Sequence, residues 1–276
     1  MHRPGPIART SLAMNAQDWL MLLALSAVWG ASYFFGKVAV EDIGPLTVVL
    51  GRVSLAAVIL YAMIRIRGIE IPRSRADWQG FFVMGLLNSA IPYSLIFWGE
   101  TRIDSGLAAI LTATVPIFTV IVAHFWTVDE KMNPAKAAGI GLGMAGVVVI
   151  MGRDLGAIGS GSGLAKLAII GATISYAFSG IYGRRLKGKT PLILAWGQMC
   201  GATVFLLPLV LFVDRPWSSA TWTTDAVLSV IALATLCTAL AYMIFFRLLA
   251  TVGATNTSLV TFLIPVSSLI LGTLFL

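Results

Sequence analysis

The side chains able to do chemistry are few, and most stand inside apolar stretches. Trp29, Tyr33 and Lys37 recur at i, i+4 and i+8, which puts two aromatic rings and an ammonium on one helix face. Such a face suits the wall of a path for a semi-polar solute. An ordinary packed helix ending in an interfacial lysine has the same spacing. Arg52 stands one to two turns inside the apolar run that begins at Pro45. A charge at that depth must face protein and find partners. It can hold a substrate carboxylate or tie helices together, and we take the tying role, because its counterpart in the repeat described below is neutral Gln198. Asn88, Tyr93, Tyr176, Trp196 and Tyr242 lie near the middles of later apolar runs, and Asn256, with Thr257 and Ser258, begins the last. Tyrosine and tryptophan join apolar area to a polar tip. With Trp29 and Tyr33, these residues form the candidate binding set for a semi-polar organic ligand, although any one of them equally well fills a gap between helices. Lys37, Arg52, Pro116 and Pro265 are the structural or gating candidates.

Other chemistries lack material. His2 and His124 are the two histidines, Cys200 and Cys237 lie in apolar runs, and neither H-E-x-x-H nor C-x-x-C occurs. No catalytic group, metal ion or cofactor is expected. Gly141-Leu-Gly143-Met-Ala-Gly146 matches G-x-G-x-x-G, but a dinucleotide site needs a preceding strand in a βαβ unit. Gly139 and Gly143 read better as a small-xxx-small pair for close helix packing. The glycine-rich stretch up to Lys166 lacks the G-K-[ST] ending of a phosphate loop. Glu100, Arg102 and Asp104 cluster where one apolar run gives way to the next, and read as a solvated outer turn. His124 reads as interfacial.

The setting for these residues follows from composition. Of 276 residues, 58% are hydrophobic and 11% charged, against about 25% charged in a soluble domain. The expectation is an all-α polytopic membrane protein, with apolar spans near 19–39, 45–65, 78–99, 104–126, 135–152, 164–183, 190–213, 225–248 and 254–276. The first run is long and aromatic, as an uncleaved span is. The net charge of +7 belongs to basic cytoplasmic loops, not to nucleic-acid binding. With the N-terminus inside, thirteen basic residues fall in cytoplasmic segments and five (Lys37, Arg102, Arg153, Lys166 and Arg215) in outer ones.

The chain also resembles itself. Pro45 and Arg52 align with Pro191 and Gln198 at an offset of 146. Leu87, Ala90, Tyr93 and Phe97 align with Leu236, Ala239, Tyr242 and Phe246 at 149, as do Thr112 and Pro116 with Thr261 and Pro265. Five spans in the first copy force the second to start on the other side, giving an inverted-topology repeat of the kind used by secondary transporters. The expected division is a cytoplasmic segment 1–18, a first repeat 19–152, an outer Gly/Ser-rich linker 153–163 and a second repeat 164–276 of four helices, nine spans in all.

On these residues the chain resembles the drug/metabolite transporter superfamily, specifically EamA-type exporters with two repeats, and within them aromatic amino-acid exporters of the YddG type. The residues that carry the likeness are Trp29-Gly30 followed by Lys37, Pro45 with Arg52, the Pro116 helix followed by Asp129-Glu130, the glycine-rich fifth span and the Pro265 helix. The resemblance implies ten spans, both termini cytoplasmic, a central cavity between the halves, and export of amino acids or related metabolites from a bacterial inner membrane. The tenth span, and the glycine-glutamate pair that follows the ninth, have no counterpart here. The expected partners are a small-molecule substrate and the lipid bilayer, without nucleic acid, in a protein that works as a monomer. The expected mechanism is alternating access without obligatory proton exchange, because Glu100 and Asp104 read as edge residues. The rival readings are a multidrug or organic-cation exporter, which wants an embedded carboxylate, and a non-transporting membrane scaffold.

Overall fold

The computed structural model describes residues 14–128, 131–151, 161–186, 188–257 and 259–275; the side chains of 147, 150, 151, 219, 246, 249, 250 and 253–256 are not described. Among the described residues, nine long helices occupy the nine expected places: α1 Ala16–Asp42, α2 Pro45–Ile66, α3 Arg75–Glu100, α4 Ser105–Trp126, α5 Pro134–Met151, α6 Gly161–Gly183, α7 191–214, α8 224–257 and α9 Val260–Phe275. Seven of them (α1 to α4 and α6 to α8) are long and apolar enough to cross a membrane, and α9 is a shorter apolar helix. Asp129, Glu130 and most of the Gly/Ser-rich linker lie outside the described residues; its Gly161 to Gly163 open α6.

Local sequence sets the helix starts. Asn15 and Asp18 form a reciprocal capping box on α1, at 2.9 and 3.1 Å. The Ser74 hydroxyl caps α3 and that of Thr223 caps α8. The repeat-matched Pro45 and Pro191 each take the first helical position, where a missing N–H costs nothing. The helix ends are less faithful to the sequence pattern. α8 runs through Thr257, so Asn256 closes the eighth helix and does not begin the ninth.

The repeat shows in backbone geometry. α3 widens into a π turn at Leu86–Ala90 and α8 does so at Thr235–Leu240, positions related by the same offset of 149. Pro92 has no N–H for the Asn88 carbonyl, which accounts for the first widening. In the second, the Thr238 hydroxyl donates to the Leu233 carbonyl, five residues back, at 2.8 Å.

Packing does not follow the two sequence halves. α1 packs mainly on α8 and α9, and α2 joins this group through α8; α6 packs mainly on α3 and α4, and α7 joins through α3. Exchanging α1 with α6, α2 with α7, α3 with α8 and α4 with α9 turns one group into the other. Each bundle therefore takes two helices from each repeat, and α2 and α7 meet on the axis between them. Glycines make the tightest crossings possible. A Cβ on Gly85 of α3 would lie 2.5 Å from the Ala202 nitrogen of α7, and one on Gly201 would lie 2.7 Å from the Phe81 carbonyl oxygen. α5 sits at the periphery. There Gly143 faces Ile117 of α4, but nothing lies within 4 Å of a Cβ at Gly139, Gly141 or Gly146, so the expected pair provides only one packing position among the described residues.

Candidate substrate cavity

The two bundles enclose a cavity of about 640 Å³, within the size range of small-molecule sites. Its wall includes Trp29 and Tyr33 (α1), Arg52 (α2), Asn88, Tyr93 and Phe97 (α3), Thr112 (α4), Tyr176 and Ser179 (α6), Gln198 (α7), Tyr242 and Phe245 (α8), and Thr261 and Ile264 (α9). The wall reaches Gly183 at the end of α6, Leu194 at the start of α7, Thr257 at the end of α8 and Val260 at the start of α9. The cavity thus runs from mid-depth to the end of the bundle that carries the basic loops, 67–74 and 184–190.

Arg52 stands at its mid-depth limit, away from the basic loops, with a relative exposure of 3%. Its Nε donates to the Thr238 hydroxyl at 3.0 Å, Nη1 to the Ser32 hydroxyl at 2.9 Å and Nη2 to the Cys237 carbonyl at 3.5 Å. The guanidinium lies over the Tyr93 ring, 4.0 Å from its centroid. The second π turn supplies Thr238 and Cys237, so that irregular turn positions Arg52. A guanidinium has five N–H donors, and these bonds leave one on each terminal nitrogen.

The first π turn presents Asn88. Its Nδ2 donates to Gln198 Oε1 at 3.0 Å and to the Tyr242 hydroxyl at 3.2 Å, while Ser179 Oγ donates to its Oδ1 at 2.9 Å. One amide thus joins α3, α6, α7 and α8. The repeat mates Tyr93 and Tyr242 both line the cavity, and Trp29 meets Phe245 at 5.6 Å between ring centroids.

Of the residues singled out from sequence, Trp29, Tyr33, Asn88, Tyr93, Tyr176 and Tyr242 line this cavity, and Arg52 joins them. Trp196 does not line it. It packs between Tyr61 and Trp78 at centroid distances of 6.0 and 5.6 Å, because its face of α7 meets α2 and α3. The Asn256 side chain lies outside the described set. Lys37 stands beyond the cavity, donating to the Glu100 carbonyl oxygen at 2.7 Å. Pro116 and Pro265 place their neighbours Val115 and Ile264 in the wall. His124 accepts from the Met132 N–H at 3.0 Å and organises the turn into α5. Sequence reading passed over Ser32 and Ser179, and named Thr261 only as the repeat mate of Thr112. Gln198 was in view only as the mate of Arg52, and that kinship was the signal for its place in the wall.

The opposite end is closed. Across the two bundles, Asp214 accepts from the Thr47 N–H at 2.8 Å and the Thr47 hydroxyl at 3.0 Å. The Ser268 hydroxyl donates to the Ser105 carbonyl at 3.3 Å. Glu100, expected in a solvated turn, is fully buried here, since α1 packs over it; Arg102 and Asp104 are exposed as expected. No group of three or more His, Cys, Asp or Glu side chains that could hold a metal ion occurs among the described residues.

Comparison with known proteins gives this architecture its setting. A family model described as the EamA-like transporter family matches the chain twice, over residues 18–152 and 163–276. The chain belongs to this family. Among similar proteins, the one named "Uncharacterized transporter YoaV" of Bacillus subtilis is 27% identical over 255 residues, 92% of this chain and 86% of that protein. The "Uncharacterized inner membrane transporter YedA" of Escherichia coli K12 is 31% identical over 187 residues, 67% of this chain and 57% of the relative. One solved crystal structure superimposes with a TM-score of 0.65 at 16% identity, covering 94% of this chain and 88% of that one, a likeness of fold alone. This EamA protein is therefore an all-α, multi-span membrane transporter built from two inverted repeats, and its substrates are small molecules.

Proposed function

We propose that this transporter exports neutral amino acids, aromatic ones among them, and related zwitterionic metabolites by alternating access. In this reading the N-terminus and the basic loops are cytoplasmic in a bacterial inner membrane, the repeats span 19–152 and 164–276 on either side of the linker, and the cavity is open to the cytoplasm. The observation that carries the reading is Arg52, a guanidinium with two unengaged N–H groups at the closed end of a largely aromatic cavity. A carboxylate accepts bidentate bonds from such a fork, and the rings of Trp29, Tyr33, Tyr93, Tyr176 and Tyr242 suit an apolar or aromatic side chain. The likeness to YddG-type exporters points the same way. Arg52 thus combines the structural role argued from sequence with a binding role.

The substrate enters from the basic end and meets Arg52. Opening the far end then separates the bundle of α1, α2, α8 and α9 from that of α3, α4, α6 and α7. Three charge-assisted bonds and one neutral bond cross at that end (Lys37 to the Glu100 carbonyl, two to Asp214, Ser268 to Ser105). At about 1.5–3 kcal/mol and about 1 kcal/mol each, they hold that end shut by roughly 5–10 kcal/mol, so closure of the basic end must form contacts of similar worth. An organic-cation exporter fits less well, because the charged residue in the wall, among the described residues, is a cation.

Counterflow in proteoliposomes tests the reading. Vesicles loaded with unlabelled phenylalanine should accumulate labelled phenylalanine, and phenethylamine should compete poorly. Accumulation of labelled organic cations with no response to amino acids would overturn it.

A further inference from the structure

The closed end of the cavity contains a group that the transport reading does not use. Glu100 is the last residue of α3, and both of its carboxyl oxygens are buried without a hydrogen-bond partner. The carboxyl packs on bare backbone of α1, where a Cβ on Gly36 would lie 2.7 Å from Glu100 Oε2. Lys37, the next residue on α1, does not neutralise it. Its ammonium donates to the backbone carbonyl of Glu100 at 2.7 Å, and neither carboxyl oxygen accepts a bond from it. The other titratable or charged groups around this point are Tyr33 on α1, Arg52 on α2 and Tyr93 on α3 itself. At the same end, α6 carries Lys166, which has its own contact, and the following turn carries exposed Arg102 and Asp104. Arg52 is held by Ser32, Thr238 and Tyr93.

Position gives the carboxyl its meaning. Glu100 and Gly36 belong to opposite bundles, so their contact parts when this end opens. Each lies one turn beyond a cavity residue, Phe97 on α3 and Tyr33 on α1. In the open form, water from that side reaches Glu100, and the released Lys37 ammonium can pair with it. In the closed form, an ionised carboxylate would be buried with no donor, at a cost of several kcal/mol, whereas the neutral acid fits the apolar contact with Gly36 and Phe97.

We propose that Glu100 is a proton-binding site whose occupancy is linked to closure of this end of the transporter. Closing takes up one proton: the carboxylate accepts H⁺ from water on that side, an O–H bond forms, and the neutral acid is buried against Gly36. Opening releases the proton to the same side. Raising the pH there favours the open form, by up to about tenfold per pH unit for one linked proton. The inference needs this end to open but no particular substrate, so it stands or falls apart from the proposed cargo.

Distance measurement between spin labels at Thr101 and Trp222, exposed positions on opposite bundles at this end, tests it. The labels are placed on the full chain in liposomes, with Cys200→Ser and Cys237→Ala, and no substrate is added. The long-distance population should rise severalfold between pH 5.5 and 7.5. Glu100→Gln should remain in the short-distance form at both pH values, and Glu100→Asp, which keeps the acid, should retain a pH response. An identical pH response in the Gln variant, or none in the Glu100 protein, overturns the proposal.

Discussion

Replacing Arg52 with methionine separates its binding role from its structural one. Methionine keeps most of the length and apolar volume but has no donors. The fold loses bonds of 3.0 Å to Thr238 and 2.9 Å to Ser32, together with the contact over Tyr93. Thr238 still donates to the Leu233 carbonyl, so Ser32 is the side chain that loses its partner, the Cys237 carbonyl loses a longer bond of 3.5 Å, and the return of a buried charge to neutrality offsets part of the loss. A net cost of about 1–2 kcal/mol in stability follows. On the substrate side, two charge-assisted bonds to a carboxylate vanish. After partial compensation this is about 2–4 kcal/mol, or roughly 30- to 700-fold in affinity. Counterflow KM for phenylalanine and for phenethylamine, measured on Arg52→Met and Arg52→Lys, distinguishes the two roles. The Met variant should lose phenylalanine affinity by that factor and leave the amine unchanged or improved. Lysine, a single point charge in place of a fork, should recover part of the loss. An equal fall for both compounds, or an unchanged KM for phenylalanine, would refute carboxylate binding and leave Arg52 as a tie between helices.

Further outcomes follow from the same geometry. Tyr93→Ala removes the ring beneath Arg52, worth about 2 kcal/mol when desolvated, and should impair counterflow, as should Tyr242→Ala; both proteins should reach the membrane at normal levels, and full flux in both would show that the pair only packs. Asn88→Ala leaves Gln198, Tyr242 and Ser179 without a shared partner and should lower thermal stability by about 1–3 kcal/mol, read as the melting midpoint in detergent. Gly85→Val should be worse than Gly139→Val, because a Cβ at Gly85 meets the α7 backbone while one at Gly139 meets open space; equal midpoints would contradict the close α3–α7 crossing. Asp214→Ala should raise the long-distance population between labels at Thr101 and Trp222, since it removes two bonds that hold that end shut.

Much of this was legible in one dimension because lipid imposes strong rules. Spans must be helical and about 20 residues long, so composition alone determined the all-α fold and the place of nine helices. The repeat was legible too, since Pro45 with Pro191 and Tyr93 with Tyr242 hold chemically restrictive positions at nearly constant offsets. That symmetry placed Tyr93 and Tyr242 together, and the cavity wall contains both. Three-dimensional packing decided the remainder. Trp196 has the same type and depth as a binding residue, yet the face of α7 that it occupies meets Tyr61 and Trp78, and no periodicity reveals which neighbour a face will meet. The π turns that aim Asn88 and Thr238 arise from local hydrogen-bond geometry that a hydrophobic pattern does not encode. The family resemblance put the cavity between the two sequence halves, whereas the helices sort into two bundles that each draw on both repeats. Glu100 is the sharpest case. Its distance along the chain from the middle of its span marks it as an edge residue, and only the approach of α1, through a glycine 64 positions earlier, turns that edge into a buried contact between the bundles.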